Sequence, residues 1–110
     1  MKPVLELHLR IRLRAGEREA FFSFLKEAIP FYERHGDSRI RLLQSSDDPL
    51  CFIEIVEYAS QEAYERGEYE VENDPEMQSY LQHWRSLLAE PPVVELWNVQ
   101  DNVISPAGRD

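Results

Sequence analysis

A chain of 110 residues, 43% apolar and 30% charged, has room for one globular core and too many apolar residues for a disordered segment. Its net charge of −9 repels phosphate backbones and argues against nucleic-acid binding. The single cysteine, Cys51, excludes an internal disulfide and any multi-cysteine zinc site. No apolar run approaches the roughly 18 residues of a membrane span, and the first residues lack a secretory pattern, so a cytoplasmic protein is expected.

The first predicted element is a strand. Leu5, Leu7, Leu9, Ile11 and Leu13 alternate with Glu6, His8, Arg10, Arg12 and Arg14, which gives one apolar and one polar face. Ala15-Gly16 makes a turn. Glu17 to His35 then reads as a helix, because Phe21, Phe24, Leu25, Ala28 and Tyr32 form a stripe at helical spacing. Gly36 reads as its C-terminal cap, His35 as a dipole-matched residue of the last turn, and Pro30 predicts a kink just before it.

Arg39 to Gln44 reads as a second strand and Leu50 to Tyr58 as a third. The polar cluster Ser45 to Pro49 connects them as a hairpin. Ser60 caps a further helical segment from Gln61 to Gly67. The acidic stretch Glu68 to Asp74 shows no helical stripe and reads as a loop or broken helix. It belongs to a wider segment, Glu54 to Glu76, with nine acidic residues and one arginine, Arg66, a net −8. Asp74-Pro75 then starts a helix with the stripe Met77, Tyr80, Leu81, Trp84, Leu87 and Leu88. Pro91-Pro92 ends it, and Val93 to Val99 is the last strand. Residues 1–100 are thus read as one domain, with 101–110 as a mobile tail.

The order βαββαβ predicts a ferredoxin-like α+β plait: a four-stranded antiparallel sheet with its helices on one face. Leu5, Leu7, Leu9, Ile11, Ile40, Leu42, Cys51, Ile53, Ile55, Val94 and Leu96 are assigned to the helix side. Glu6, His8, Arg10, Arg12, Arg41, Phe52, Glu54, Val56, Tyr58, Glu95 and Trp97 are assigned to the open side. An open face with so many aromatic and aliphatic groups predicts a homodimer that pairs two sheets face to face around a partly polar space.

On that face His8 is the candidate general base, because an imidazole beside a carboxylate such as Glu95 works near neutral pH. Arg10 and Arg41 are candidates for holding an anion. Phe52, Glu54, Tyr58, Glu95 and Trp97 are the candidate ligand-binding residues, with Phe52 and Trp97 able to stack a flat ring. The competing explanation is structural: arginines paired with Glu6, Glu54 and Glu95, a histidine bonded across the barrel, and aromatic groups packed in the interface. His83 reads as solvated helix surface, Cys51 as packed and inert, and the acidic series as a solvated face without calcium-loop spacing. No phosphate loop, metal spacing or serine-nucleophile motif is present, so neither a cofactor nor a metal is expected.

The segments Arg14 to Phe21, Ile29 to Gly36 and Val56 to Ala63, with Asn73 to Gln78 and Trp84 to Leu88, resemble the NIPSNAP-like branch of the dimeric α+β barrel superfamily. The third-strand-to-helix segment is also similar to the antibiotic-biosynthesis monooxygenase branch. The resemblance implies a homodimeric barrel and two functional expectations. The first is an uncharacterised NIPSNAP-like protein that binds a small molecule or a protein partner. The alternative is a cofactor-independent monooxygenase or isomerase acting on an aromatic or polyketide-like substrate. In it, His8 would remove a proton, Arg10 or Arg41 would stabilise the enolate, and Trp97 would hold the ring.

Overall fold

The computed structural model describes residues 1–104. Its elements run β1 (Leu5–Arg12), α1 (Arg18–Tyr32), β2 (Ser38–Gln44), β3 (Cys51–Tyr58), α2 (Gln61–Asn73), α3 (Pro75–Ser86), β4 (Val93–Asn98) and a single turn, α4 (Asp101–Ile104). The four strands form one antiparallel sheet in the order β2-β3-β1-β4. This is the expected ferredoxin-like plait, with the second helical region divided in two.

Local chemistry explains most boundaries. Among the described residues, Gly16 and Gly36 are the two with positive φ, 84° and 80°, and they flank α1 as turns. The Asp74 side chain accepts from the Glu76 backbone N–H, and Pro75 occupies the first helical turn, so one residue pair ends α2 and starts α3. Ser60 accepts from the Ala63 N–H at the start of α2.

Three expectations are corrected. Helix α1 ends at Tyr32, so Pro30 falls in its last turn and His35 lies beyond it. The acidic stretch Glu68 to Asn73 continues α2 without a break. Its buried side is built from Ala63, Gly67 and Val71, spaced i, i+4, i+8, and two of the three are too small to register as an apolar stripe. Asp101–Ile104 forms a helical turn, and the remainder of the expected tail lies outside the described residues.

The fourth correction concerns faces. The register pairs Leu9 with Glu54, Leu7 with Val56, Leu5 with Tyr58 and Ile11 with Phe52. Directly opposed residues share a face. Phe52, Glu54, Val56 and Tyr58 therefore lie beneath the helices, whereas Cys51, Ile53, Ile55 and Glu57 lie on the open side with His8 and Trp97.

The helix-side core is also uneven. At one end Phe21, Phe24, Leu25 and Ala28 pack with Ile11, Leu13, Phe52, Trp84, Leu87 and Leu88. At the other end Leu5, Tyr58 and Ala63 make a small separate cluster. Between the two lies a cavity.

Candidate functional site

The cavity has a volume of about 130 Å3. Its floor is the sheet: Leu7 and Leu9 from β1, Ile40 from β2, and Glu54, Val56 and Tyr58 from β3. Its roof is helical. Ala63, Gly67 and Val71 of α2 and Met77, Leu81 and Trp84 of α3 face it, with Tyr32 at the end of α1. Small residues on α2 leave room that a larger set would fill.

Glu54 is the chemical centre of this space. It is 4% exposed, and the basic residues that share its cavity, Arg66 and His35, pair with Asp37 and Glu70. Burial among apolar groups penalises its charged form and pushes its pKa up to about 7, while the nearby Trp84 indole N–H draws it down slightly. Trp84 Nε1 nevertheless makes no hydrogen bond of acceptable geometry, and it is buried. A buried donor left without a partner costs about 1–3 kcal/mol. The Tyr32 phenol is also raised well above its ordinary value, by burial first and by the Glu54 charge second. The cavity thus holds a carboxyl whose pKa burial pushes up to about 7, with the Trp84 N–H beside it.

Charged groups gather at the mouth. Arg66 of α2 pairs with Asp37, and Arg34 pairs with Glu70. His35 Nε2 lies 3.1 Å from Glu70, and Arg34 also reaches Asp74 at 3.4 Å. These contacts tie the segment after α1 to α2 across the cavity entrance. His35 therefore serves as a cross-link here, in place of the expected helix cap. Arg66 donates to Asp37 through NH2, but its Nε is buried and has no partner.

The open face has a different character. His8 Nε2 is 3.0 Å from Glu6 Oε1, and the His8 and Trp97 rings are 6.0 Å apart. Arg10 donates to Glu95 at 3.1 Å, Arg12 to Asp48 at 2.7 Å and Arg39 to Glu57 at 2.8 Å. Arg41 lies 3.6 Å from the other Glu57 oxygen. Each predicted arginine on this face has an acid partner, although the partner of Arg41 is Glu57 and not Glu54.

The candidate residues thus fall into two groups. His8, Arg10, Arg41, Glu95 and Trp97 share the open face, as expected. Phe52, Glu54 and Tyr58 lie on the opposite side, where Phe52 is core and Glu54 and Tyr58 line the cavity. Cys51 is half-buried on the open face and donates to Asp48 at 3.5 Å, not packed under the helices as expected. Burial and the Asp48 bond push its thiol pKa up. His83 is exposed, as expected, with its ring edge against Phe24. Sequence reasoning missed Tyr32, Arg66 and Trp84 as cavity residues. Among the described residues, no cluster of His, Cys, Asp and Glu could hold a metal ion, and no helix is long and apolar enough to cross a membrane.

No family model matches the chain, and no curated protein matches it in sequence. Solved structures do match in fold. SnoaB from Streptomyces nogalater, described as a cofactor-independent oxygenase, was solved as its N63A mutant and superposes with a TM-score of 0.74 at 17% identity. The match covers 90% of this chain and 95% of that one. A Nitrosomonas europaea protein, provisionally assigned as an antibiotic biosynthesis monooxygenase, gives 0.71 at 17% identity, over 86% and 97% of the two chains. Rv0793 from Mycobacterium tuberculosis gives 0.69 at 19% identity, over 86% and 93%. The fold is that of the antibiotic-biosynthesis monooxygenase proteins. At these identities the likeness speaks for fold alone. It agrees with the second of the two branches the sequence resembles and gives no support to the NIPSNAP-like one.

Proposed function

We propose that this chain is a cofactor-independent oxygenase that deprotonates a phenolic or enolisable ring inside the helix-side cavity, with Glu54 as the base. The observation that carries this reading is a carboxyl buried in a largely apolar cavity whose basic residues pair elsewhere; that burial pushes its pKa up to about 7. A base poised near the working pH combines a useful ionised fraction with a useful proton affinity. The description of SnoaB as a cofactor-independent oxygenase supports the reaction class.

The chemistry balances without a cofactor. Glu54 takes the phenolic proton, and the electron-rich ring passes electrons to O2. One oxygen atom joins a ring carbon in place of hydrogen, and the other leaves as water. A phenol plus O2 gives a quinone plus H2O. The carboxyl that accepted the proton returns it when water is released.

Oxygen uptake with a panel of single-ring phenols tests this. Uptake should rise as pH increases through 7, and Glu54→Gln should lower it about 10²–10⁴-fold, the usual contribution of a general base. Absence of uptake across the panel, or uptake that survives Glu54→Gln, overturns the assignment.

A second copy of the chain is the proposed occupant of the open face. Leu43, Val93 and Trp97 are 44–55% exposed there, beside His8, Arg10, Arg41 and Glu95. In this reading those residues build the interface rather than the reacting centre. Light scattering at micromolar concentration should give twice the chain mass, and Trp97→Glu should shift it towards the monomer. A monomeric wild type overturns the proposal.

A further inference from the structure

Among the described residues, two buried side-chain polar atoms lack a hydrogen-bond partner: Arg66 Nε and Trp84 Nε1. They come from different helices, yet both residues line the same cavity. Buried donors in folded proteins are nearly always satisfied; Trp84 Nε1 has the Glu54 carboxyl beside it, whereas Arg66 Nε has no acceptor. Much of the remaining lining is apolar, and its other polar side chains are those of Tyr32, His35, Asp37, Ser38, Glu54, Tyr58, Glu68 and Glu70.

Position separates the two donors. Trp84 Nε1 is beside Glu54. A hydroxyl there would donate to the carboxylate and accept from the indole at once, which neither a carbonyl nor a methyl can do. Arg66 stands with the mouth pairs. Its NH2 is committed to Asp37, leaving Nε–H for an uncharged or anionic oxygen.

Size restricts the ligand further. A cavity of about 130 Å3 is close to the roughly 150 Å3 that accommodates benzene in an engineered core. It is the size of a single ring, and three fused rings would extend well beyond it.

Deepening the oxygenase reading on which it rests, we infer that the cavity takes a single-ring phenol bearing a second oxygen. The phenolic hydroxyl sits between Glu54 and Trp84, and the second oxygen accepts from Arg66. Both tryptophan and arginine act as binding and positioning groups, and the substrate class narrows from aromatic or polyketide-like to monocyclic.

Calorimetric titration at pH 8, where Glu54 is ionised, tests this on three near-isosteric sets: methoxyphenols, ethylphenols and methylanisoles, each as all three ring isomers. The tightest methoxyphenol should exceed its matched ethylphenol and methylanisole by about fivefold or more, the worth of one hydrogen bond. Arg66→Lys keeps a cation for Asp37 and removes Nε–H. It should erase the methoxyphenol–ethylphenol gap and leave the methoxyphenol–methylanisole gap. Trp84→Phe should shrink the latter gap. A three-ring anthracenol should bind more weakly than any of the tight set.

Equal affinity across the three sets means that water satisfies both donors and overturns the inference. So does an anthracenol that binds as tightly as the best single ring, or an Arg66→Lys variant that weakens every ligand alike. Binding and oxygen uptake fail separately. Selective binding without uptake removes only the oxygenase, and Glu54-dependent uptake without the oxygen preference removes only this inference.

Discussion

Glu54 and Glu57 are three residues apart on β3 and equally buried, each 4% exposed, but they lie on opposite faces of the sheet. Glu57 lies on the open face and accepts from Arg39, with Arg41 close by. Glu54 lies beneath the helices in a cavity it shares with Leu7, Leu9, Val56 and Leu81, whose basic residues, Arg66 and His35, pair with Asp37 and Glu70 instead. The same side chain at the same burial is an ion-pair partner on one face and a proton acceptor poised near neutrality on the other. Neighbours, not depth, set the chemistry. An unpaired buried carboxyl opposes folding whenever it ionises, and such a cost is commonly retained where the group has work to do.

The largest test of this contrast is Glu54→Gln. The folded-state pKa of Glu54 is raised to about 7 from an ordinary 4.5. Between those values the native state holds a proton that the unfolded chain releases. Stability is therefore full below pH 4.5 and declines as pH rises through 7, by about 3 kcal/mol at 1.36 kcal/mol per pKa unit. Glu54→Gln should remove that decline, so the variant should be more stable than wild type at pH 8 while losing oxygen uptake. Urea denaturation at pH 5 and pH 8 measures it. A variant less stable than wild type at pH 8 would mean that Glu54 is paired in solution.

Glu57→Gln should act in the opposite sense and more weakly. It leaves the Arg39 and Arg41 guanidinium groups short of a partner, but both are about half exposed, so solvent limits the loss to about 1 kcal/mol. Oxygen uptake should be unchanged, because the residue faces away from the cavity. Loss of uptake would move the reacting centre to the open face and restore His8 as the candidate base.

The smallest effect concerns the cavity roof. A Cβ built on Gly67 meets the Tyr58 hydroxyl at 3.5 Å, an ordinary contact. Gly67→Ala in the interior of α2 should therefore stabilise the fold by about 0.5–1 kcal/mol. A thermal melt reads this directly. Destabilisation would show that the α2–β3 approach is tighter than described.

The difference between the two glutamates also marks where the sequence was legible. The clean alternation of β1 and the helical stripe of α1 each had one periodicity to follow, and both elements formed, although α1 ends at Tyr32, short of the expected His35. In β3, Phe52, Ile53, Ile55 and Val56 put apolar groups on both faces, and Glu54 and Glu57 put one acid on each. No period-2 signal then says which face is buried. Assigning Ile53 and Ile55 to the helix side turned Glu54 outward by alternation. The informative signal lay in the neighbouring strand, where Arg39 and Arg41 match Glu57 in parity and provide it with partners. Helix α2 was obscured in another way, because Ala63 and Gly67 are small. The same small residues keep the cavity open. The cavity was illegible because it arises from β3 facing and α2 side-chain size together, and neither had a local pattern.

The carboxyl-carbon NMR titration of Glu54 in the intact protein decides whether this carboxyl can serve as the base. A midpoint near 7 is expected. A midpoint near the ordinary carboxylate value of 4.5 would show that Glu54 is solvated or ion-paired, and would leave the cavity without its base.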